Sequence, residues 1–182
     1  MLWTPRHSWT AAAATLLLVV LMVIVKAANN GVFTPAMSLS SGAFTDGGML
    51  PVKYTCNGEG ISPPITIRNV PEKTKSIVLY MLDQDAPKDG FVHWVVYNIE
   101  PSVTNLPEGK IPTESVEGVN EAKETSYFPP CPPSGSHRYL FTAYAVSGTY
   151  NFLRTPTIDQ LKKVMMWQVL AKATTTAIYA QP

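Results

Sequence analysis

Two aspartates, two histidines and a cysteine set among prolines are the residues of this chain whose types and spacing could do chemistry. Asp83 and Asp85 close an apolar run in Asp83-Gln84-Asp85-Ala86-Pro87. His93 follows a Lys88-Asp89-Gly90 turn, and His137 and Tyr139 open a later apolar stretch. Cys131 and Pro132 stand inside Pro129-Pro130-Cys131-Pro132-Pro133, a stiff wall of fixed backbone angles. Singly, each has a plain structural use: an aspartate in a turn caps its own backbone. Together they are polar groups gathered in an apolar frame, which is what a small binding site needs. Imidazole and carboxylate are ligands for zinc or iron. Yet the chain has no H-E-x-x-H, no H-x-H and no cysteine pair at finger spacing. It also lacks G-x-S-x-G and a glycine-rich phosphate loop. No cofactor or resident metal is implied. The chemistry left is binding: imidazoles hold an anionic oxygen and aspartates receive a cationic amine, as a phosphoamine head group would require. A metal-dependent hydrolase built on His93, His137, Asp83 and Asp85 ranks last among the readings.

The elements that must position these residues are strands. Ser76–Leu82 is an apolar run of strand length, and Phe91–Ile99 returns after the turn as its hairpin partner. Alternation then puts His93, Val95, Tyr97 and Ile99 on one face, and Trp94, Val96 and Asn98 on the other. Asp83 and Asp85 point the same way if the first strand runs that far. Ala86–Pro87, in a tight turn, is a candidate for a cis bond. His137–Val146 is the next strong strand, Ile65–Ile67 a short one, and Met37–Ser41 and Leu50–Thr55 are further candidates. Residues 101–133 form a long excursion without helical period. One helix is expected from Thr157 to about Lys172, opened by a Thr157/Gln160 capping box, with Met165 and Trp167 in the core. A strand over Thr174–Tyr179 closes the chain. Many strands and one late helix give a mainly β, antiparallel sandwich with long loops.

Residues 1–27 read as a signal peptide or signal-anchor, because Arg6 and Lys26 flank the uncharged apolar run Thr10–Val25. Residues 28–36 are a linker and 37–182 the domain. Both readings of the N-terminus export the domain, periplasmic or secreted, or leave it anchored to a membrane by that segment alone. Without the first 27 residues the chain is nearly neutral, so nucleic acid is not an expected partner. In an oxidising compartment Cys56 and Cys131 could pair or stay as two separate thiols.

Two spaced motifs carry a resemblance. Asp83-Gln84-Asp85-Ala86-Pro87 with His93-Trp94, and Cys131-Pro132-Pro133-Ser134-Gly135-Ser136-His137-Arg138-Tyr139, resemble the paired signatures of the phosphatidylethanolamine-binding protein family, which includes Raf kinase inhibitor proteins. Tyr54-Thr55-Cys56-Asn57-Gly58 with Ser62-Pro63-Pro64 is similar to its bacterial-type branch. The resemblance spans roughly Phe44–Tyr179. It implies a Greek-key β-sandwich and a non-catalytic pocket for anionic or phosphorylated head groups. The residues it assigns to that pocket are Asp83, Asp85, Pro87, His93, Pro132, His137 and Tyr139, with Cys131 where other branches have glycine. It also implies inhibition of protein partners. For an exported domain that means a protease or another exported protein, met through the long loop beside the pocket. Pro129 replaces the glycine usual in the bacterial branch and is expected to narrow the mouth.

Overall fold

The computed structural model describes residues 35–182, so the expected signal or anchor segment lies outside the described residues. Nine strands and one α-helix follow in order: β1 Ser38–Ser40, β2 Gly48–Met49, β3 Ile65–Arg68, β4 Ser76–Asp83, β5 Phe91–Ile99, β6 Asn105–Leu106, β7 Val116–Glu117, β8 Ser136–Val146, α1 Ile158–Met165 and β9 Val169–Ala180. They make a six-stranded sheet, β2-β9-β8-β4-β5-β7, and a three-stranded sheet, β1-β3-β6. All pairs are antiparallel except β2 with β9. After the β4–β5 hairpin the chain makes its long excursion. It returns as β8 beside β4, on the side away from β5.

The large sheet is covered on both faces, which explains why β4 is an unbroken apolar run instead of an alternating one. Ile77, Leu79 and Met81 pack with Leu39, Ile65, Ile67 and Leu106 in the core between the sheets. Val78 and Tyr80 point the other way, onto Ile158, Leu161 and Met165 of α1. The helix opens on the expected capping box. Gln160 N donates to Thr157 Oγ1 (3.4 Å) and Thr157 N donates to Gln160 Oε1 (2.9 Å).

Several expectations are corrected. The helix stops at Met165, well short of Lys172, and Val169–Ala180 is one long strand. The cause is tertiary: β8 offers a full ladder edge, and β9 satisfies it from Val169 onward. Met165 is buried as expected, but Trp167 is 89% exposed. Leu50–Thr55 is not a strand. Pro51 leads into a single 3₁₀ turn, Val52–Tyr54. The Ala86–Pro87 bond is trans.

The face assignment in β5 also changes. Register shifts occur between Met81 and Leu82 and between Ile77 and Leu79 of β4, where β5 carries extra residues. Leu82 pairs with Val92 but Met81 pairs with Trp94, so the bulge falls at His93. His93 therefore leaves the face of Val95 and Tyr97, which is the α1 side, and meets Tyr139 on the inner side. The second shift, with Asn98 at φ 57°, brings Ile99 to the inner core as well.

Candidate functional site

The site forms where β4 ends and β8 begins. Asp83 pairs with Tyr139 across the ladder, and His137 lies two residues before Tyr139 on the same face. The β4–β5 turn needs backbone that few residues tolerate: Lys88, Asp89 and Gly90 all have positive φ. A Cβ at Gly90 would stand 2.7 Å from the Asp83 carbonyl oxygen, so only glycine lets β5 leave so close to β4.

Asp83 is buried and fully engaged. One carboxylate oxygen accepts from the backbone N–H groups of Asp85 (3.0 Å) and Ala86 (3.1 Å). The other accepts from His137 Nδ1 at 2.7 Å. His93 Nδ1 donates to the Phe128 carbonyl oxygen (2.8 Å), while Phe128 N donates back to the His93 carbonyl (3.0 Å). This reciprocal pair clamps the proline wall to β5. Burial pulls the His93 pKa below the usual histidine value, more than the Phe128 carbonyl and Asp83 raise it. With Nδ1 of each ring occupied by a protein acceptor, Nε2 is the nitrogen left for a ligand on both histidines.

Between these rings and the proline wall is a cavity of about 180 Å³. Of the residues singled out in the sequence, Asp83, Pro87, His93, Cys131, Pro132 and His137 line it. Tyr139 lies beneath, fully buried, with its ring 5.4 Å from that of His93. Its hydroxyl is near Asp83 but completes no hydrogen bond of ordinary geometry; burial and that carboxylate push its pKa far up.

Asp85 is not among the lining residues. The strand ends at Asp83, so the two carboxylates do not share a face as expected. Instead Asp85 takes Arg138 in a fork, Nε to Oδ2 at 2.9 Å and Nη2 to Oδ1 at 2.5 Å, and accepts from the Arg138 backbone N–H. That pairing holds its pKa down to about 2. Pro129 does not line the cavity either; its ring lies toward Gly60.

Cys56 and Cys131 form a disulfide, with Cα atoms 5.5 Å apart. With the Cys56 N–H bonded to the Pro130 carbonyl (3.0 Å), it fixes the wall to the 55–60 turn. Sequence reasoning missed Phe91 and Phe128. Their rings are 5.7 Å apart and make the apolar side of the cavity. The signal was available, since Phe91 lies two residues before His93 and Phe128 three before Cys131. A larger cavity of about 350 Å³ opens beside Trp94 and Tyr127. It contains neither histidine, and its carboxylate, Glu117, is tied to the Trp94 indole at 2.8 Å. Among the described residues, no three histidine, cysteine or acidic side chains come together as a metal site would need.

Comparison with known proteins agrees with this architecture. The sequence model of the family described as phosphatidylethanolamine-binding protein matches residues 40–180. A UPF0098 protein of Chlamydia trachomatis serovar D is 43% identical over 148 residues, covering 79% of this chain and 98% of its own. One from Methanothermobacter thermautotrophicus is 39% identical over the same length, with 79% and 98% covered. Among solved structures, a protein described as a putative phosphatidylethanolamine-binding protein homolog, CT736 of Chlamydia trachomatis, superposes with a TM-score of 0.78. It shares 41% identity, covering 81% of this chain and 99% of that one. Escherichia coli YbcL, described as a new member of the mammalian PEBP family, gives 0.75 at 28% identity, covering 81% and 100%.

Proposed function

Because the chain belongs to the phosphatidylethanolamine-binding protein family, we propose that its small cavity takes a phosphoryl or other anionic head group and catalyses no reaction on it. One observation carries this reading: two imidazoles line one cavity, and each keeps only Nε2 for a guest. A phosphoryl oxygen is matched to such a pair in two ways. A protonated ring donates to the oxygen, or a neutral ring accepts from a P–OH. The second needs the P–OH proton, which is lost as pH rises through about 6, the second phosphate pKa. The proposal is narrower than the sequence suggested. Asp83 and Asp85 are both occupied by protein donors, so neither is free to receive an amine. Their part is to position His137 and the turn, and Phe91, Phe128 and Pro132 take the apolar remainder of the ligand. Export of the domain belongs to the same reading, supported by the Cys56–Cys131 bond, which persists in oxidising compartments.

The test is NMR of the histidine rings with inorganic phosphate, ethyl phosphate and phosphoethanolamine. Saturable shifts of both rings are expected, stronger at pH 5.5 than at pH 8, and His137→Ala weakens binding about tenfold or more, as for a lost charged hydrogen bond. Ethyl phosphate and phosphoethanolamine bind equally. Rings that do not respond up to millimolar ligand remove the reading.

A further inference from the structure

We propose that the turn between α1 and β9 docks on an anionic lipid surface. Val164, Met166, Trp167, Val169 and Leu170 are all exposed large apolar side chains within seven residues. No other described residue buries them. Water-facing apolar side chains are normally scattered singly, and a contiguous group of this kind marks a contact surface. Its charge names the occupant. From Gln160 to Thr174 the chain carries Lys162, Lys163 and Lys172 and no acid. Two of these cations are pinned. Lys162 Nζ stands 4.7 Å over the Tyr80 ring and Lys172 Nζ 5.7 Å over Tyr144, and the two rings stack on each other. The result is an apolar tip led by tryptophan, with ammonium groups fixed behind it. A tryptophan at the head-group level with lysines reaching anionic phosphates is the arrangement of interfacial segments. A second copy of the same tip would set like charges against each other.

The position of this tip bears on the pocket. It adjoins Val146 at one end of β8, and the cavity adjoins His137 at the other. Nine strand steps separate them, roughly 30 Å at the usual rise. A docked domain therefore turns its cavity away from the bilayer that holds it, toward ligands in solution.

The full chain is mixed with vesicles of phosphatidylcholine, with or without phosphatidylglycerol, and tryptophan quenching by brominated acyl chains is read against Trp167→Phe. The subtraction isolates Trp167 from Trp3, Trp9 and Trp94. Trp167 is expected to be quenched only with the anionic lipid, and Lys163→Gln weakens the docking that this quenching reads about fivefold. Trp167→Phe should leave phosphate binding unchanged. Equal quenching in both lipids overturns the proposal. So does a Trp167 that ignores lipid, including one that changes with protein concentration in sedimentation and so marks a protein interface. Loss of phosphate binding alone would refute the pocket reading and leave this one standing.

Discussion

At the scale of residues, the pocket is governed by how few of its polar groups remain unspent. Beside the two imidazole Nε2 atoms, Tyr139 is the exception, with a buried hydroxyl that completes no bond. Tyr139→Phe should therefore leave stability within about 1 kcal/mol of the parent or raise it, since no satisfied group is lost. Tyr139→Ala should cost about 3–5 kcal/mol through the cavity it opens. Urea denaturation of the pair separates ring from hydroxyl. Acid titration gives two more windows. The His93 pKa is lower folded than unfolded, so its contribution is full above the usual value near 6.5 and is lost as pH falls through the folded value. Asp85 is held at about 2 against an ordinary 3.8, so its contribution is full above about 4 and is lost as pH falls toward 2. Thermal melts across pH should show both steps. His93→Gln removes the upper step and Asp85→Asn the lower.

At the scale of elements, α1 is worth more than its two turns suggest. Leu161 is fully buried against the outer face of the large sheet. Leu161→Ala should cost about 2–5 kcal/mol in chemical denaturation, with the inner core intact. Strands were legible where both faces are apolar, as in β4, or where β-branched and aromatic residues run long, as in β8. The helix start was legible from a local hydrogen-bond pair. Its end was not, because Val169–Lys172 can continue a helical stripe equally well. The choice is made by β8, which is distant in sequence until the chain folds. The faces of β5 were misread for a related reason: a bulge obeys the partner strand and leaves no mark in alternation. Of the site, the motif residues lining the cavity were legible. The roles of Asp83 and Asp85 were not, since sequence does not tell which donor reaches a carboxylate first.

At the scale of the whole molecule, the disulfide closes a loop of 75 residues. Chain-entropy reasoning assigns such a loop about 4 kcal/mol. Replacing both Cys56 and Cys131 by serine should lower stability by about that much. It should also loosen the proline wall, read as weaker phosphate binding in the same variant.

The last strand has a consequence for how the chain is made. β9 is not an edge: it lies between β8 on one side and β2, from the start of the domain, on the other. Until residues 169–180 have left the ribosome, the large sheet is missing an interior member, and β2 has nothing to pair with. Folding of the large sheet thus waits on a pairing between two parts of the domain far apart in sequence, with the slow search that such long-range pairing imposes.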